Sequence, residues 1–320
     1  MKPGPFSTRR RGVVAALAAS LAARGARAQP AYPSRPLTLI VPYPPGGSTD
    51  ILARAFAEAM GRALGQQVVV DNRPGAATNI GTEAAAHSPP DGYTVYFGTS
   101  SLAQNPHFGP VPTVDVFRDL APVSLVATMS FVVAANPALP IAGPADLVAA
   151  ARARPGKLSI SSASLEVTVK TLNHRAGIQL LHVPYKGGAQ ATSDAMAGHV
   201  DMVVALLPVL LPQLKAGKLK PIGLAAEKRS PAAPSIPTMA EGGVQGFSTP
   251  AWFALYVPPG TPEGSVARLN AAAVQAAAQQ ELVARMLDQG IEVQSSTPRE
   301  LAERLRRDWD ENAALARELK

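Results

Sequence analysis

The sequence predicts an α/β protein built in two halves, and three observations lead there. The chain has 320 residues, enough for two ordinary domains with a core each. Hydrophobic content of 47% against 17% charge is that of a globular chain, neither disordered nor membrane-spanning. Short apolar, β-branched runs alternate with helical stretches over the first hundred residues, and the alternation resumes after residue 130.

The first strand is expected over 37–41, an apolar and partly β-branched run. Pro42-Tyr43-Pro44-Pro45-Gly46-Gly47 breaks it. Ser48 or Thr49 is suited to N-cap a helix over 50–64, where Asp50 belongs in the first turn. Ile51, Leu52, Ala55, Phe56, Ala59 and Leu64 give that helix an apolar side. Val68-Val69-Val70 reads as a second strand and Asp71-Asn72-Arg73-Pro74-Gly75 as a turn. A helix is expected over 79–86, a turn at Pro89-Pro90-Asp91-Gly92, and a third strand over 93–97. Strand and helix at this spacing imply parallel βαβ units.

In the second half, strands are expected over 131–135, 158–161, 180–183, 200–206 and 221–224, with helices over 143–154, 167–175, 189–197 and 210–216. Residues 228–237, rich in proline, serine and charge, read as a surface connection. One more strand is expected over 252–257, and helices over most of 262–288 and 298–319.

The formal charge of +7 is concentrated at the N-terminus. Lys2, Arg9, Arg10, Arg11, Arg24 and Arg27 lie in residues 1–28 without an acid; setting these six aside leaves 24 basic against 23 acidic residues. A nearly neutral remainder lacks the standing basic surface that nucleic acid requires. The basic start, the uncharged run 12–23 and Ala26-Arg27-Ala28 read as a secretory signal over 1–28, cut before Gln29. Export by the general route is expected; the paired arginines fit a twin-arginine signal only loosely. The chain has no cysteine, which excludes disulfides, thiol catalysis and a lipid anchor on an N-terminal cysteine.

Chemistry is sought where strands end. Pro44-Pro45-Gly46-Gly47-Ser48-Thr49-Asp50 joins a strand to a helix start, where free amides and the helix dipole favour an anion. A plain capped turn would look the same. Arg73-Pro74-Gly75-Ala76-Ala77-Thr78-Asn79-Ile80-Gly81 follows the same logic at the next strand end, and Ser100 and Ser101 reach the same edge. In the second half Pro184-Tyr185-Lys186-Gly187-Gly188-Ala189 is another such loop, where Lys186 is either a partner for a carboxylate or a solvated surface residue. Enzyme signatures are poor. His87, His107, His174, His182 and His199 show no zinc spacing, and there is no Gly-x-Ser-x-Gly, no dinucleotide fingerprint and no P-loop. No metal and no cofactor is expected.

Taken together the motifs resemble a family. Val41-Pro42-Tyr43-Pro44-Pro45-Gly46-Gly47-Ser48-Thr49-Asp50-Ile51-Leu52-Ala53-Arg54 strongly resembles the first loop of the Bug-type solute receptors, the binding components of tripartite tricarboxylate transporters. Asn72-Arg73-Pro74-Gly75, Asn79-Ile80-Gly81, Pro90-Asp91-Gly92-Tyr93-Thr94, His182-Val183-Pro184-Tyr185-Lys186-Gly187 and Gly198-His199-Val200-Asp201 match in the same order, and the resemblance covers 30–320. It implies a periplasmic-binding-protein (type II) architecture with a ligand cleft between two domains, 29–128 plus 238–320 and 129–237. It also implies a small carboxylate as ligand, membrane permease subunits or a sensor kinase as partner, a monomer, and no catalysis. An enzyme acting on a small acid is the competing class.

The candidate ligand-binding set is Tyr43, Gly47, Ser48, Thr49, Asp50, Ala77, Thr78, Asn79, Ser100, Ser161, Ser162, Lys186 and Gly187. Two departures from the family stand out. Ala77-Thr78 replaces the usual Gly-Gly, and residues 161–170 replace a glycine-rich loop with its His-Leu-Ala-Gly-Glu helix. Glu166, if it faced the cleft, would repel a second carboxylate.

Overall fold

The computed structural model describes residues 32–163, 166–249 and 251–319; the expected signal segment 1–28 lies outside the described residues. Two sheets organise the chain. The first has six strands in the order β11-β4-β10-β3-β1-β2, from β1 (Leu37–Val41), β2 (Val68–Asn72), β3 (Thr94–Thr99), β4 (Ala121–Met129), β10 (Ala251–Val257) and β11 (Glu292–Val293). The second runs β7-β6-β8-β5-β9, from β5 (Phe131–Ala135), β6 (Ser159–Ala163), β7 (Leu181–Tyr185), β8 (Met202–Leu206) and β9 (Lys220–Leu224).

β1 lies parallel to β2 and β3, as the alternating pattern predicts, with Val41 opposite Asn72. Both sheets are nevertheless mixed. β10 runs antiparallel to β3 and β4, and β5 antiparallel to β8 and β9. These reversals are where the chain crosses between lobes: Met129-Ser130-Phe131 carries it into the second sheet, and β10 brings it back.

Each lobe is a sheet between helix layers. In the first, α1 (Ser48–Leu64) and α8 (Glu263–Ala277) bury Leu52, Phe56, Leu269 and Ala273 on one face. The other face takes α2 (Asn79–Ala86), α3 (Ser101–Phe108) and the C-terminal α10 (Pro298–Glu318), which brings in Leu301 and Leu305. α9 (Gln280–Asp288) completes this lobe. In the second lobe α4 (Pro144–Ala153) and α5 (Glu166–Ala176) cover one face, α6 (Gly188–Ala197) and α7 (Leu207–Lys215) the other. Burial on both faces is why β1, β8 and β10 read as almost continuous apolar runs.

Several expectations need correction. α1 starts at Ser48 with Gly47 as N-cap, and neither the Ser48 nor the Thr49 side chain caps it. β4 and α3 are elements the pattern missed: β4 mixes Ala, Pro, Ser and Thr among its apolar residues, and α3 carries Pro106 and a weak apolar stripe. Met239, Val244 and Phe247 pack into the second lobe's core, and the first sheet is rejoined by β10 from Ala251.

Candidate functional site

Three strand-to-helix junctions meet at one edge of the first sheet: β1 leads to Ser48, β2 through the 73–78 turn to Asn79, and β3 to Ser101. Each is the first residue of a helix, where amides lack an intrahelical partner; the Asn79 amide donates instead to the Ala76 carbonyl and the Ser101 amide to Thr99 Oγ1 at 3.3 Å. In α1 the first internal bond is from the Ile51 amide to the Gly47 carbonyl, which leaves the amides of Ser48, Thr49 and Asp50 outside the ladder.

Asp50 does not face outward. It is 3% exposed, and its carboxylate accepts from the Gly46 amide, Arg54 Nε and Asn72 Nδ2, each at 2.9 Å. Burial opposes ionisation, yet the donors from Arg54, Gly46 and Asn72 hold its carboxyl below the ordinary value. Asn72 also donates to the Tyr43 carbonyl at 3.0 Å. Asp50 is therefore the anchor that ties the first loop to the end of β2.

A largely buried chain of hydroxyls runs along the edge. Tyr43 and Thr99 share a hydrogen bond at 3.2 Å, Thr99 and Ser101 at 2.7 Å, and Ser101 and Thr78 at 3.1 Å. Burial pushes the Tyr43 phenol upward despite the bonds from Thr99 and Ser101, so it stays protonated and able to donate. The nearest arginines are already paired, Arg54 with Asp50 and Arg73 with Asp71.

The second loop is strained. Ala76, Ala77 and Thr78 take φ of 46°, 51° and 83° in succession. Non-glycine residues held there cost on the order of 1–3 kcal/mol each, and a β-branched threonine is the least suited. The turn is held from several sides. The Thr78 amide donates to the Gly75 carbonyl and the Thr82 hydroxyl to the Thr78 carbonyl, each at 3.0 Å. Asn105 of α3 donates its side-chain amide to the Ala77 carbonyl. Asn79 turns its side chain away, donating to the carbonyls of Pro110 at 3.3 Å and Val111 at 3.5 Å. Ser100 places its amide on the Trp252 carbonyl at 3.0 Å and serves as N-cap of α3.

In the second lobe the pleat separates two adjacent serines. The Ser161 hydroxyl is buried in the core, donating to the Ala191 and Met202 carbonyls at 3.1 Å each, so it presents nothing to a ligand. Ser162, on the opposite face, bonds His182 Nε2 at 2.7 Å. Burial keeps His182 below its usual pKa, against the pull of Glu166. The Ser162 side chain of this pair is sealed from solvent. Glu166 pairs with Lys170 at 2.8 Å along α5. Gly187 is the extended N-cap of α6, and Lys186 beside it is exposed.

Thr99, Asn72 and Asn105 were not expected as site residues. Tyr43, the partner of Thr99, Asp50, the partner of Asn72, and Ala77, the partner of Asn105, are far away in sequence, and no spacing rule points to them. Among the described residues no group of three or more His, Asp or Glu side chains is placed to hold a metal ion, and no helix is long and apolar enough to cross a membrane. A shallow groove of about 690 Å³ runs along α1 and the edge strand β2, lined by Arg54, Glu58, Arg62 and Val69, and no candidate residue borders it.

The family model for the tripartite tricarboxylate transporter family receptor matches residues 52–319. Protein BugT of Bordetella pertussis is 36% identical over 273 residues, covering 83% of this chain and 84% of BugT. A solved R. palustris structure with adipate is 30% identical with a TM-score of 0.82, over 90% of this chain and 98% of that one. MatC from Rhodopseudomonas palustris with bound malate is 28% identical with a TM-score of 0.77, over 89% and 100% of the two chains.

Proposed function

The chain belongs to the tripartite tricarboxylate transporter receptor family, as a Bug-type solute-binding protein, and from that premise we propose that it captures a small carboxylate between its two lobes and passes it to a membrane permease. The observation that carries the reading is the meeting of three helix starts, at Ser48, Asn79 and Ser101, around the hydroxyl chain of Tyr43, Thr99, Ser101 and Thr78. Helix dipoles and neutral donors suit a carboxylate, and no full positive charge is needed to hold one. Ser48, Thr49 and Thr78 contact the ligand's first carboxylate; Lys186 and Gly187 of the second lobe meet its far end. The adipate and malate of the two solved relatives support the class of ligand.

The protein carries out no chemical step on its ligand. Residues 1–28 direct it to the periplasm and are removed, and it acts there as a monomer. Closure is a hinge motion about 129–131 and the return into β10, driven by contacts made only when the cleft is shut.

The test is a thermal-shift screen of ligand-stripped mature protein against malate, adipate, tricarboxylates, acidic amino acids and aromatic acids. A ligand at about a hundred times its Kd should add roughly 2.7 kcal/mol of stability. A shift that disappears in the Ser48→Ala/Thr78→Ala variant supports both the ligand class and the first-lobe site. No shift with any carboxylate sinks the proposal.

A further inference from the structure

The strained turn at Ala76–Thr78 and the unexpected helix α3 belong together. The chain has three successive left-handed residues there, none of them glycine. Such a turn relaxes unless something outside it holds it. α3 and the loop that follows it touch three successive residues. Asn105 donates to the Ala77 carbonyl, Ser101 bonds the Thr78 hydroxyl at 3.1 Å, and the Pro110 and Val111 carbonyls receive the Asn79 amide. Ser101 and Asn105 are four residues apart, one helical turn, so both side chains project on the side that meets the turn. α3 is itself fixed to the first lobe, with Leu102 and Ala103 in the core beside Leu301 and Leu305 of α10.

We infer that Asn105 is a positioning residue of the ligand site: it holds the Ala76–Thr78 turn in its binding conformation through the Ala77 carbonyl, with Ser101 keeping the Thr78 hydroxyl aimed. This rests on the carboxylate site proposed above. Where glycines would adopt such a turn freely, this chain uses alanine and threonine and clamps them from α3. The strain is an asset once clamped, because the free protein then already holds the conformation the ligand selects, and binding does not spend affinity on ordering it.

The experiment is a two-by-two set, wild type, Asn105→Ala, Ala77→Gly and the double variant, titrated calorimetrically with malate and with adipate. Amide hydrogen exchange at 76–79 is followed in the ligand-free proteins. Asn105→Ala should weaken binding about ten-fold, on the order of one unrelieved strained residue. In the Ala77→Gly background the same change should cost less than about three-fold, because glycine takes the left-handed conformation without a clamp. Exchange at 76–79 should quicken in Asn105→Ala while the amides of β1 and β3 keep their protection. Equal loss in both backgrounds would mean that Asn105 touches the ligand or supports something else, and overturns the inference; so does unchanged affinity in Asn105→Ala. If wild type binds neither probe the proposed function fails by itself, and exchange at 76–79 still decides on the clamp, with unchanged exchange overturning it.

Discussion

Asn72 Nδ2 donates to Asp50 Oδ1 at 2.9 Å, joining the end of β2 to the first turn of α1 through a buried carboxylate. Two loops that would otherwise move independently thus share one anchor, and the first consequences concern it.

Asp50→Ala leaves the Gly46 amide, Asn72 and Arg54 without their acceptor. Stability should fall by about 1–3 kcal/mol, the cost of losing the hydrogen bonds that meet on one buried carboxylate. Urea unfolding at pH 7 measures it, and a change under about 0.5 kcal/mol would contradict the anchoring role.

The same carboxylate makes stability depend on pH. Its folded-state pKa is depressed, so its contribution is whole above the ordinary carboxylate value of about 4 and disappears as pH falls through the depressed value. Asp50→Asn should therefore be less stable than wild type at pH 7, with the gap narrowing below about pH 4. A gap that stays constant between pH 7 and pH 3 would rule out this titration.

With Lys186 replaced by alanine, binding should be almost indifferent to salt. In the proposed site helix starts and hydroxyls hold the first carboxylate, while Arg54 and Arg73 are paired with Asp50 and Asp71. Between 50 and 500 mM salt, Kd of that Lys186→Ala variant should change less than about three-fold; a change of an order of magnitude would point to a further unpaired cation in direct contact.

Tyr43→Phe removes the hydroxyl at one end of the chain that runs through Thr99 and Ser101 to Thr78. Calorimetry should show affinity weakened about 3- to 10-fold, the value of one neutral hydrogen bond, with little change in thermal stability.

Leu305 of α10 is 3% exposed in the first lobe's core, beside Leu301 and Tyr96. Leu305→Ala should cost about 2–4 kcal/mol, seen as a lower melting temperature. A surface-like cost below about 0.5 kcal/mol would mean that α10 is not docked there in solution.

The sequence by itself determined the order of most elements and the places to look. Apolar runs bounded by proline and glycine located β1 and β5, and the periodic segment 79–86 coincides with α2. Glycine and small hydroxyl residues at strand ends marked the first-lobe loops, because backbone freedom and capping chemistry are local properties. Beyond that point only the tertiary structure decided. Ser161 and Ser162 are indistinguishable as neighbours in a row, yet the pleat sends one hydroxyl into the core and the other to His182. Asp50 looks like a ligand residue and is an anchor, because its partners are at Asn72 and Gly46. β4 and α3 carry weak local signals, and their stability comes from β10, β11 and α10, which lie far along the chain. The hydroxyl chain and the clamp on Ala77 join residues 43, 78, 99, 101 and 105, and such contacts exist only once three strands have aligned in register. Local preference is written in neighbours; which groups meet across a sheet edge depends on how distant segments pack.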